Sequence, residues 1–198
     1  MNQLLVSGGS LKEFFRLVVG EVVKRQGVTL EEVTEFYLVN LLSEYAASEK
    51  LFDTDVEGRR VAEPLAMLYH RALGQAREDR MRTLRRLGDI SLYTAGYFQQ
   101  SLKDRVVGPD YYVSMGKAAY GTVAEMAGST AFAVAFLELN EKFLALTEVL
   151  EEIAARGQAA AGPRGQMDLF EQWVHGGSRR VESVLVDVGL LPPKGPPN

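Results

Sequence analysis

The chain has 198 residues, of which 46% are hydrophobic and 24% charged, and its formal net charge is -4. That length suits one domain able to bury about 70% of its unfolded surface. There is no cysteine, which excludes disulfides, thiolate nucleophiles, zinc fingers and iron–sulfur clusters and fits a reducing, cytoplasmic setting. The acidic balance argues against nucleic-acid partners, whose capture relies on many basic residues on one face.

The N-terminus, MNQLLVSGGSLKEFF, lacks a basic segment ahead of an apolar core, so no signal peptide is expected. The Ser7-Gly8-Gly9-Ser10 stretch reads as a flexible lead-in, although a glycine-rich helix start can also bind an anion. Ser10 and Glu13 make a candidate capping box, with Leu11, Phe14, Phe15, Val18 and Val22 following at helical spacing. Gly27 stops that helix. Thr29 and Glu32 make a second capping box for a helix at roughly 30–48. This helix is apolar on most of its circumference, which predicts a central position. Asn40 and Glu44 lie a turn apart on it. If buried, they need polar partners, and an arginine or tyrosine from 82–120 is expected to supply them. His70, beside an apolar stripe, is expected to be a hydrogen-bonded core or boundary residue.

Residues 52–60 read as a polar loop, and Pro64 suits the first turn of the helix after it. Between Arg71 and Arg86 stand six arginines and two acids, Glu78 and Asp79. On one helix, Arg82, Arg85, Arg86, Asp89, Tyr93 and Tyr97 share a face at spacings of three and four. Arginine forks grip carboxylate or phosphate, and tyrosines add flat surface with a polar tip. The stripe is therefore either a candidate site for a small anionic or aromatic ligand or a solvated basic face neutralised by Asp89. Pro109 opens a further helix, where Tyr112, Gly116 and Tyr120 fall at i, i+4 and i+8. The glycine leaves a notch between two rings, to be filled by another helix or by a flat ligand. Glycine costs about 1 kcal/mol in a helix interior, so its recurrence at 88, 96, 108, 116 and 121, inside apparent helices or at their ends, signals close approach of something.

Phe132, Phe136, Leu139, Phe143, Leu146, Leu150 and Ile153 form an a/d seam, expected to be an intramolecular bundle core or, as the alternative, to meet a second subunit as well. It predicts one long helix near 130–155, roughly 35–40 Å in length. The weakly polar run at 126–137 is too short to span a bilayer. The glycine- and alanine-rich stretch 157–165 reads as a linker, followed by two short helices and a proline-rich tail. The expected organisation is a main bundle at 1–156, a linker at 157–165, a helical pair at 166–190 packed on the bundle, and a disordered tail at 191–198.

No phosphate loop, nucleophile elbow or histidine-rich metal set is present. Glu171 and His175 are one turn apart, but with no third ligand they read as a solvated pair. No metal site and no cofactor are expected. The segments GDISLYTAGYF (88–98) and GPDYYVSMGKAAYGTVA (108–124) resemble a pattern in uncharacterised bacterial all-α proteins. The resemblance implies an all-α fold and no particular activity.

The sequence thus predicts an all-α, single-domain bundle of about seven helices. Its expected function is that of an interaction or regulatory protein, homo-oligomeric or partnered through the 132–153 face or the Trp173 region. One alternative is a binding module for a small anionic or aromatic ligand in the Arg82–Tyr120 region. The other is an enzyme using Glu44, Asp89 or Tyr93 for acid–base chemistry. No membrane or nucleic-acid partner is expected.

Overall fold

The computed structural model describes residues 11–47, 53–54, 60–61, 63–102 and 107–192. The expectations for Ser7–Ser10, most of 52–60 and the tail beyond 192 fall outside these residues. The described chain is helical: α1 (Leu11–Arg25), α2 (Glu32–Ala47), α3 (Leu65–Leu73), α4 (Arg77–Tyr97), the single-turn α5 (Gln99–Leu102), α6 (Pro109–Ala127), α7 (Ala131–Glu141), α8 (Phe143–Ala160), α9 (Pro163–Gly176) and α10 (Arg179–Asp187). A two-residue antiparallel ladder, β1 (Asp53–Thr54) with β2 (Arg60–Val61), pairs Asp53 with Val61 and Thr54 with Arg60. No described helix is long and apolar enough to cross a membrane.

Ten helical segments are present among the described residues where about seven were expected, in part because the expected 130–155 helix is two helices. The break is at Lys142, whose φ of -95° and ψ of 13° end α7 and lead into α8. Its ammonium donates to the Thr29 carbonyl at 2.5 Å and to Glu138 Oε1 at 2.6 Å. The same Glu138 accepts the Glu31 amide at 2.9 Å. One side chain from α7 therefore satisfies an orphan N–H at the start of α2, where a Thr29–Glu32 box was expected.

Despite the break, the seam stays inside. Phe136, Leu139, Phe143, Leu146, Leu150 and Ile153 are all buried, and only Phe132 points out. They join one large core built from α1 to α4 and α6 to α8. A second, smaller core of Ala155, Ala159, Leu169, Val181, Val184 and Leu185 lies between the end of α8 and α9–α10. The expected 157–165 linker is mostly helix: α8 continues to Ala160 and α9 starts at Pro163. The corner is tight, since a Cβ on Gly165 would lie 2.2 Å from the Gln158 carbonyl. Gly177, at φ 64°, turns the chain from α9 into α10, which Ser178 caps through the amides of Arg180 and Val181.

The two cores are also tied by charge. Glu152 is buried on α8, and its Oε1 faces Arg25 at 2.5 Å and Arg156 at 3.2 Å, while Oε2 accepts from Gln26 at 2.8 Å. Arg25 continues to Asp187 of α10 at 2.5 Å, and Arg180 pairs with Glu148.

The glycines at 88, 96, 116 and 121 let helices approach, whereas a Cβ on Gly108 would meet nothing within 4 Å. A Cβ on Gly88 would fall 2.4 Å from the Tyr120 ring, and one on Gly116 would fall 2.4 Å from Phe143. The Tyr112–Tyr120 notch is thus filled by Phe143 of α8.

Candidate functional site

Three helices, α2, α4 and α6, converge on Asp89. On α4 its neighbours Leu84, Gly88 and Leu92 are buried, and the helix carries Asp89 inward with them. The carboxylate is held from both sides: Oδ1 accepts the hydroxyls of Tyr37 (2.5 Å) and Tyr120 (2.8 Å). Arg85, one turn earlier on α4, donates from Nε to the Tyr37 hydroxyl at 3.0 Å. The same nitrogen lies 3.8 Å from Asp89 Oδ2. Its guanidinium also sits 5.1 Å over the centre of the Tyr37 ring, a favourable placement against a π face.

Burial dominates the electrostatics. It pushes the Asp89 carboxyl up to about 6, although Tyr37, Tyr120 and Arg85 all favour its ionised form. Glu44 adds to the rise. Burial, reinforced by the Asp89 charge, drives the Tyr37 and Tyr120 phenols well above their ordinary value. Both therefore keep their protons and remain donors to Asp89.

Beside this junction lies an open cleft of about 460 Å³. Its α4 wall carries Arg77, Glu78, Met81, Arg82 and Arg85. The opposite wall is apolar, formed by Val123, Met126 and Ala127 of α6 and by Phe132 and Phe136 of α7, with Thr130 between those helices. The Phe136 ring touches Tyr37 (centroids 5.2 Å) and Tyr120 (5.7 Å), so the cleft floor is the back of the Asp89 junction. Arg85 belongs to both. Arg77 donates to the Met126 carbonyl at 2.5 Å, and Arg82 pairs with Asp79.

The residues expected to form one stripe are divided. Arg82 and Arg85 line the cleft, and Asp89 and Tyr120 form the junction behind it. Arg86 is half-buried and lies off the cleft, acting electrostatically on Tyr45. Tyr93 and Tyr97 stack on each other (4.9 Å, 7°) and join Tyr45 and Phe98 in an aromatic cluster farther along α4. Tyr112 packs edge-on against Tyr111. Gly116 is closed by Phe143.

The expected buried polar set is also corrected. His70 and Glu44 are exposed, because their helix positions face outward. Asn40 is half-buried and donates to the Phe36 carbonyl of its own helix at 2.8 Å. The hydrogen-bond partners of Asp89 are Tyr37 and Tyr120, not Glu44 or Tyr93. Tyr37, on the mostly apolar α2, was not among the expected site residues. Its signal was that a buried tyrosine hydroxyl needs a partner.

A second cleft of about 330 Å³ lies between the end of α4 and α8–α10, with Tyr97, Gln99, Glu151, Gln158 and Gln172 among its walls. A shallower groove of about 730 Å³ follows the α6–α7 hairpin. Among the described residues, no group of three or more His, Asp or Glu is placed to hold a metal. No family model, curated protein or solved structure matches this chain.

Proposed function

We propose that this protein is a helical ligand-binding module whose cleft takes a small anionic molecule with an apolar body. The observation that carries this reading is the pairing of a cationic α4 wall with an apolar α6–α7 wall around one cleft. Arg85 is shared between that cleft and a buried acid. Clefts of about 300–1,000 Å³ with apolar walls and a few placed polar groups are the usual form of small-ligand sites, and 460 Å³ falls in that range. Three arginines face a single glutamate there, so the lining favours anions.

The heptad seam from Phe136 to Ile153 is used inside the fold, which leaves the Trp173 region as the support for the interaction-protein reading. Acid–base catalysis by Glu44, Asp89 or Tyr93 is the weaker reading, because Glu44 is exposed and Tyr93 packs among Tyr45 and Tyr97.

The test is fluorescence titration with 8-anilino-1-naphthalenesulfonate, an anion with an aromatic body. Saturable binding is expected. The Arg82→Ala/Arg85→Ala double variant should weaken it at least about tenfold, since a charge-assisted hydrogen bond contributes about 1.5–3 kcal/mol. A folded double variant that titrates like the wild type refutes the site.

A further inference from the structure

Resting on the cleft reading above, we propose that the ligand is an amphipathic monocarboxylate, an alkyl or aryl body ending in one carboxylate, and that its capture is coupled to uptake of a proton by Asp89.

The walls set the ligand class. Met81, Val123, Met126, Phe132 and Phe136 offer no polar side-chain group, so the body between the walls must be apolar. Methionines adapt to irregular shapes, which favours a chain or ring system over one rigid outline. The charge side is limited. Arg77 is already engaged with Met126 O and Arg82 with Asp79, while Glu78 repels anions. Arg85 has one donor committed to Tyr37 and presents a fork suited to a carboxylate. A dianionic head group would demand more uncommitted cations than the lining holds.

The coupling follows from Arg85 being shared. The charged and titratable groups acting on Asp89 are Tyr37, Tyr45 and Glu44 from α2, Arg85 from α4, and Tyr120 from α6, while Arg86 of α4 acts on Tyr45 beside them. Arg85 makes a cationic ion pair with it, and at 3.8 Å from Oδ2 that contact is loose. A ligand carboxylate on Arg85 brings a second negative charge close to Asp89 and competes for the same guanidinium. Both effects favour the neutral form of Asp89. Oδ1 keeps its two tyrosine hydrogen bonds, so the proton goes to Oδ2, on the Arg85 side. The balance is simple: ligand anion, ionised Asp89 and one proton give a complex with neutral Asp89, and no covalent bond changes. The Asp89 carboxyl is already raised to about 6 by burial, so a modest added charge carries it into the neutral range.

Linkage makes the effect reciprocal: the factor by which the ligand raises proton affinity is the factor by which the proton raises ligand affinity. At full coupling, affinity falls up to about tenfold for each pH unit above the free-state titration.

The experiment is isothermal titration of the full chain with decanoate near neutral pH, in phosphate and in Tris, whose ionisation enthalpies differ widely. The wild type should bind with uptake of more than about half a proton per decanoate, and its affinity should fall as pH rises from about 6.5 to about 8. Asp89→Asn should bind with no proton uptake and no such pH dependence. Decanoate binding without proton uptake in the wild type overturns the coupling and leaves the module standing. Anilinonaphthalenesulfonate binding without decanoate binding overturns the carboxylate assignment. Failure of both probes overturns the module itself. If Asp89→Asn does not fold, the wild-type proton count and pH profile decide alone.

Discussion

Replacing Asp89 with asparagine removes a charge from the junction of α2, α4 and α6 while leaving a carbonyl oxygen for Tyr37 and Tyr120. In the folded chain the Asp89 carboxyl titrates near 6, raised by burial from an ordinary 3.8. The native state therefore holds this proton more tightly than the unfolded chain does. The stabilising contribution is complete below the unfolded value and is lost as pH rises through the folded one. Each tenfold difference in proton affinity is worth about 1.4 kcal/mol, so the loss between about pH 4 and about pH 8 is about 2–3 kcal/mol, most of it before pH 6. The asparagine variant lacks this component. Urea denaturation of both proteins across that range isolates it, because other titrating groups cancel in the difference. Relative to wild type, Asp89→Asn should become more stable by about 2–3 kcal/mol on going from pH 4 to pH 8. Its absolute offset also includes the lost contact with Arg85, so the slope is the diagnostic quantity. A difference that is flat with pH, or that falls, would refute the claim that Asp89 is held in a desolvated site.

Gly88→Ala should lower stability by about 1–3 kcal/mol despite alanine's better helix propensity. The new methyl meets a Tyr120 ring that Asp89 holds in place, and thermal melting would show a loss of several degrees; an unchanged melting temperature contradicts the close packing. Glu152→Ala should cost about 3 kcal/mol in chemical denaturation, because it strips Arg25, Arg156 and Gln26 of a buried common partner; a loss below about 1 kcal/mol would mean that the cluster contributes little. Glu138→Ala should cost about 1–2 kcal/mol, the usual scale of a lost helix cap, and hydrogen exchange should report early fraying of the first turn of α2. Lys142 and the Glu31 amide outweigh the effect of burial and hold the Glu138 carboxyl below its ordinary value. That contribution is present above the unfolded titration and is lost on acidification.

Helix periodicity and proline positions were legible in the sequence. Pro109 opens α6, and Phe136, Leu139, Phe143, Leu146, Leu150 and Ile153 face the core as their spacing requires. Helix continuity was less so: the break at Lys142 carries no glycine or proline and is supported by tertiary bonds to Thr29 and Glu138. The glycines at 88 and 116 announced close approach but not what approached, because Tyr120 and Phe143 come from other helices. Of the site, Arg82, Arg85 and Asp89 were readable as part of one polar face of α4, and Tyr120 only as one side of a separate notch on α6. The choice of buried acid was not. Helix α2 is apolar nearly all round, so periodicity could not say which way Glu44 faced, and the same uniformity hid Tyr37. The apolar wall of the cleft comes from α6 and α7, and no local pattern in α4 predicts it.

The most direct test of the ligand-binding reading is amide chemical-shift mapping of the isotope-labelled chain during titration with decanoate. The reading predicts saturable shifts concentrated at Met81, Arg85, Val123, Met126 and Phe136. An absence of shifts, or shifts confined to the cleft between α8, α9 and α10, would contradict it.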